Sequence, residues 1–196
     1  MKLLFISLGC DKNLVDSEEM LGMLAADGHE IVDDEDEAEV IIVNTCCFIG
    51  DAKEESVNTI LEMAEKKKAG TCKVLIVTGC MAQRYKKEIS EEIPEVDAIL
   101  GTTSYGDISK AVKEAQAGRH FEEYKSIDFL PDISGKRMLT TGGHFAYLKI
   151  AEGCDKHCTY CIIPKLRGSY RSVPMEQLVK EARSLAEKGV KELILV

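Results

Sequence analysis

No apolar stretch in this 196-residue chain approaches the roughly 20 residues that a membrane-spanning helix needs, so no membrane partner is expected. No leader is expected either. The start, MKLLFISLGCDKN, carries a Lys and an apolar run of about seven residues, but it has no small-residue cleavage site and reads as a strand. A cytoplasmic location is therefore expected. Positive charge is scarce: 25 Lys and Arg stand against 34 Asp and Glu, and the net charge of −9 argues against general, charge-driven binding to nucleic acid. The acidic run DDEDEAE (33–39) reads as a solvated face. Between Lys149 and Arg171 the balance reverses locally, with Lys149, Lys156, Lys165, Arg167 and Arg171 against Glu152 and Asp155.

What is present is a soluble, core-forming composition, 45% hydrophobic and 30% charged, together with eight cysteines. Without an export signal these argue against a disulfide framework, because the cytosol keeps thiols reduced; metal binding or catalysis is the better default. Apolar runs at 2–9, 39–46, 73–80 and 97–101 read as strands. Helical patterns at 16–28, 54–70 (Val57, Ile60, Leu61 and Ala64 on one face), 84–93 and 107–118 alternate with them. Such alternation predicts an α/β fold built on a parallel sheet covered on both faces. The pattern lapses over about 119–142, around Pro131. A new unit opens with HFAYLKIAEG as one strand, then a cysteine loop, a helix near 174–188 and KELILV as a further strand. The expected organisation is an N-terminal domain at 1–125, a linker at 126–142 and the beginning of a second domain at 143–196. The last strand is expected to lack a partner and the second domain to be truncated.

Cys10, Cys46 and Cys80 each end one of the predicted strands, in SLGC, VNTC and VTGC. The carboxyl ends of parallel strands share one edge, where ligands bind, so three thiols distant in sequence are expected to meet there. Cys154, Cys158 and Cys161 form a second set, C-x3-C-x2-C, within CDKHCTYC. Cys47 and Cys72 fit neither set and are read as plain buried or surface thiols. Thiolates suit zinc or iron–sulfur clusters. Three of them hold three irons of a four-iron cluster and leave the fourth open for chemistry.

The C-x3-C-x2-C loop with Tyr160 before its last cysteine resembles the radical S-adenosylmethionine (SAM) enzymes. The stretches SLGCDKNLVDSE, NTCCFIGDAKEES, TGCMAQRY and LKIAEGCDKHCTYCIIPKLRGSYRS together resemble their methylthiotransferase family, over nearly the whole chain. The second stretch departs from the family pattern in carrying Cys47 directly after Cys46. The resemblance implies a radical SAM, TIM-like barrel preceded by a domain with its own cluster. It also implies two 4Fe–4S clusters, one on Cys10, Cys46 and Cys80 and one on Cys154, Cys158 and Cys161. SAM would bind the open iron of the latter, with Tyr160 beside the adenine. One SAM would supply a methyl group to sulfur at the first cluster and a second the 5′-deoxyadenosyl radical, so that an unactivated C–H carbon acquires a methylthio group. Within the family, SLGCDKNLVDSE and CIIPKLRGSYRS resemble the branch acting on the β-carbon of an aspartate in small-subunit ribosomal protein uS12.

The partners so implied are uS12 or the small ribosomal subunit, an electron donor and a sulfur donor. The alternative substrate is isopentenyladenosine in tRNA. From other classes, a non-enzymatic iron–sulfur electron carrier predicts four-cysteine sites and no SAM binding, and a structural zinc protein differs in its metal. A complete barrel takes about 250 residues, so this stretch alone is expected to be inactive.

Overall fold

The computed structural model describes residues 1–131 and 137–196; of the expected linker, residues 132–136 lie outside the described residues. The chain runs β1 (Lys2–Ser7), α1 (Asp11–Ala26), β2 (Glu30–Ile31), β3 (Val40–Thr45), α2 (Gly50–Lys68), β4 (Val74–Gly79), α3 (Cys80–Arg84), α4 (Lys86–Glu92) and β5 (Ala98–Leu100). A short 3-10 turn then leads into α5 (Ile108–Gln116) and β6 (Phe121–Glu123). β1 to β6 form one sheet in the order β2-β1-β3-β4-β5-β6, every pair parallel. This is the expected α/β architecture.

The period-2 pattern of the strands places one residue set on each face. Ile41, Val43, Leu75, Val77 and Ile99 pack with Ile60, Met63 and Ala64 of α2, and with α3 and α4. Leu3, Val40, Ile42, Val74, Ile76 and Leu100 pack with Met20 and Leu24 of α1 and with Ile108, Ala111 and Val112 of α5. β3 and β4 are buried throughout, as strands covered on both faces must be.

Four expectations need correction. α1 begins at Asp11, not 16, because Cys10 has the extended backbone of an N-cap. The inward seam of α2 runs Ser56, Ile60, Met63 and Ala64, whereas Val57 and Leu61 face solvent. The helix expected at 84–93 breaks at Tyr85, whose backbone is not helical, into α3 and α4. The strand expected over 144–153 is two: β7 (Phe145–Leu148) and β8 (Ala151–Glu152), which belong to different sheets.

β8 pairs antiparallel with β9 (Arg171–Ser172), closing the cysteine loop and α6 (Ile163–Arg167) between them. α7 (Met175–Glu187) then carries the chain back, and β10 (Glu192–Leu195) lies parallel to β7. The last strand therefore has a partner, because a helical crossover delivers it alongside β7. Ala146, Leu148, Leu185 and Val190 are the small core of this unit. No helix of the described residues is long and apolar enough to cross a membrane.

Candidate functional site

Two glycines shape the carboxyl edge of β1, β3 and β4. Gly9 has φ +97°, and a Cβ there would lie 2.6 Å from Cβ and 2.9 Å from Sγ of Cys46. Gly79 has φ +92°, and its missing Cβ leaves room for the Asn44 side chain and the Thr45 carbonyl, 2.6 Å away. Only glycine allows this backbone conformation and this closeness together. Ser56 of α2 pins the next residue: its hydroxyl accepts from Cys46 N–H (3.0 Å) and donates to Cys46 O (2.8 Å). Asn13 of α1 donates through Nδ2 to the carbonyls of Leu8 (3.0 Å) and Thr45 (2.9 Å), tying the helix start to the ends of two strands.

Around this edge lies a cavity of about 510 Å³. Cys10, Cys46 and Cys80 line it, from the N-cap of α1, the end of β3 and the first residue of α3. The structure thus brings these three together, Cys10 exposed and Cys46 and Cys80 buried. Burial pushes the Cys80 thiol up to about 12, with the Arg167 guanidinium pulling the other way. Cys47 is buried beside the site and its Sγ donates to the Cys80 carbonyl, 3.3 Å away. Cys72 is also buried, away from the cavity, with Sγ 3.0 Å from the Val74 carbonyl.

Cys154, Cys158 and Cys161 share the loop between β8 and α6. Cys154 N–H donates to Gly168 O (3.1 Å) and Cys161 N–H to Cys158 O (3.0 Å). Gly153, at φ +73°, passes so close to the carbonyls of Gly168 and Ser169 that no side chain fits. His157 has φ +48°, so the loop is turned tightly between its first two cysteines. Tyr160 is 88% exposed.

α6 connects the two thiol sets. It leaves the loop just after Cys161, and its Ile163, Leu166 and Arg167 form a wall of the first cavity. Arg167 is held in a buried network that sequence reasoning missed. Its Nη1 donates to both Glu152 carboxylate oxygens (2.8 and 3.1 Å), and its Nη2 to Asn13 Oδ1 (2.6 Å) and Asp16 Oδ2 (3.1 Å). Lys149 bridges Asp16 and, at 3.1 Å, Glu152. Burial pushes the Glu152 carboxyl up, but Lys149 and Arg167 outweigh it and hold it well below the usual range. Nothing in the sequence signalled it, since Asn13 lies before the expected helix start at 16 and Lys149 and Arg167 stand in a basic stretch.

The donor set and the space fit a polynuclear cluster. Such a cluster spreads its thiolates over separate irons and so needs a cavity walled by cysteines. Among the described residues, no three His, Cys, Asp or Glu side chains converge as ligands of a single ion. All eight cysteines are free thiols.

Residues 2–101 match the model of the protein family described as "Uncharacterized protein family UPF0004". The chain belongs to this family. Residues 148–196, the second thiol loop included, match the Radical SAM superfamily. UPF0004 thus covers β1 to β5 and their three-thiol edge, and the second match begins at the end of β7. The whole chain is 65% identical to the ribosomal protein uS12 methylthiotransferase RimO of Lachnoclostridium phytofermentans and 53% identical to the protein of that name from Clostridioides difficile. Over 97% of the chain it is 53% identical to that of Acetivibrio thermocellus. The chain spans 44% of the length of each of these relatives. The family expected from the motifs and the one found by comparison agree.

Proposed function

We propose that this chain carries the two cofactor sites of a radical SAM methylthiotransferase acting on an aspartate of ribosomal protein uS12. The observation that carries the reading is the pairing of two three-thiol sites through α6, one in a cavity at the sheet edge and one on a surface loop. Cys10, Cys46 and Cys80 would hold one 4Fe–4S cluster, and Cys154, Cys158 and Cys161 the other, with SAM on its open iron and Tyr160 beside the adenine. When bound, these groups supply hydrogen-atom abstraction from an unactivated carbon and the methylthio group that replaces the hydrogen. The chain's own residues do the positioning. Gly9 and Ser56 set the Cys46 side chain on the cavity wall, and Asn13 fixes the start of α1 that carries Cys10. Gly153 and the Cys161–Cys158 turn fold the second loop.

Residues 1–125 and 143–196 act as two units joined by 126–142, in the cytoplasm. The relatives' printed names support uS12 as substrate. An electron donor and a sulfur donor complete the reaction.

Mass spectrometry of uS12 and of tRNA from cells lacking the gene tests the substrate. The methylthio mass should vanish from uS12 alone; its loss from tRNA instead would replace the substrate. Single Cys→Ala changes test the sites. Loss of Cys154, Cys158 or Cys161 should abolish SAM cleavage, whereas loss of Cys10, Cys46 or Cys80 should spare 5′-deoxyadenosine formation and stop transfer. A Cys10→Ala enzyme with full transfer would refute the two-site reading.

A further inference from the structure

The wall of the three-thiol cavity carries an uneven set of charges. Among its side chains Lys12 and Arg167 line it as cations and Asp11 as an anion, while the carboxylates that hold Arg167, those of Asp16 and Glu152, lie outside the lining. Arg167 is 3% exposed, and four hydrogen bonds fix its guanidinium in a fork that cannot swing away. The residue belongs to the C-terminal unit, but two of its acceptors, Asn13 and Asp16, belong to α1. Lys12 reciprocates from α1 by donating to the Ala151 carbonyl at 2.6 Å. Each unit therefore places a cation at the cavity wall and anchors it, wholly or in part, on the other.

We propose that Arg167 is a positioning residue of this cavity, a fixed positive charge that favours the reduced state of a cluster bound there and is delivered only when the C-terminal unit is docked. The inference rests on the assignment of a cluster to Cys10, Cys46 and Cys80. One-electron reduction by an external reductant adds a negative charge to a cluster that three thiolates already make anionic. A buried, immobile cation close by lowers the energy of that added charge more than a solvated one could. Because α6 begins two residues after Cys161, a shift of the second loop would move this charge relative to the first cavity.

The test uses the whole enzyme with Cys154, Cys158 and Cys161 changed to Ala, so that one cluster reports. It is loaded anaerobically with iron and sulfide, and its midpoint potential is read by spectroelectrochemistry. Arg167→Met should shift the potential to more negative values, and Arg167→Lys should lie between it and the parent. Glu152→Gln, which leaves Arg167 in place and removes a negative charge behind it, should shift the potential the opposite way. A purely structural role predicts shifts of one sign, or none, in the Met and Gln variants, and either result overturns the proposal. If the Met variant does not hold a cluster, the signs of the Lys and Gln shifts decide. A parent protein that takes up no iron refutes the cluster assignment beneath the proposal; uptake with unmoved potentials refutes the proposal alone.

Discussion

At Gly9 the absence of one carbon makes room for the Cys46 side chain. An Ala there would need both a left-handed backbone and the space now taken by Cβ and Sγ of Cys46. Gly9→Ala is expected to cost about 2 kcal/mol of stability, from the strained φ alone. Cys46 should leave the cavity wall, so that in the metal-free protein its alkylation, followed by peptide mass mapping, becomes faster. An unchanged rate would contradict the packing described. The cysteines themselves were legible, since Cys10, Cys46 and Cys80 each fall at an element's end and Cys154, Cys158 and Cys161 share one short motif. The residues that position them were not. Arg167 and Asn13 are 154 positions apart, and Lys149 and Asp16 are 133 apart. No local pattern joins such pairs, and Lys149 and Arg167 in a basic stretch gave no sign of burial.

Among the elements, α1 has the densest role. Besides Asn13 and Asp16 it buries Glu18, whose carboxylate accepts from Arg137 Nε (2.7 Å) and from Thr140 N–H (2.7 Å) and hydroxyl (2.9 Å). Arg137 in turn donates to the Tyr147 carbonyl of β7 at 2.6 Å. Glu18→Ala would leave buried Arg137 with Glu181, 3.6 Å away, as its remaining counter-charge, at an expected cost of about 3 kcal/mol. Hydrogen exchange should then show β7 amides losing protection while β3 and β4 keep theirs; equal loss in all three strands would contradict a local tether. Long strands such as β3 and β4 were readable because six consecutive buried positions make an apolar run. β2 and β6 were not, being two and three residues long with Glu in each, and their pairing with β1 and β5 comes from the sheet rather than from their own sequence.

For the molecule as a whole, the seam between the units is sensitive to pH through Glu19. Burial raises its carboxyl to about 7, against the opposing pull of Lys149 and Arg137, while Asp16 and Tyr105 also face it. The folded chain binds this proton more tightly than the unfolded one, so the contribution is complete below about 4.5 and is lost as pH rises to about 7. Unfolding in urea should show roughly 3 kcal/mol less stability from this group at the upper end of that range. Glu19→Gln should flatten the slope, and a variant with the parent's full pH dependence would rule Glu19 out. The same seam bears on how the protein is made. Cys10, Cys46 and Cys80 leave the ribosome well before Arg167 and the rest of α6, and at ordinary elongation rates the interval after Cys80 is about ten seconds. Until α6 seats, the thiol cavity lacks one wall and is open to the solvent. The growing chain thus passes through a brief stage in which its first thiol cavity is open to small solutes, and α6, made later, ends that stage by closing over it.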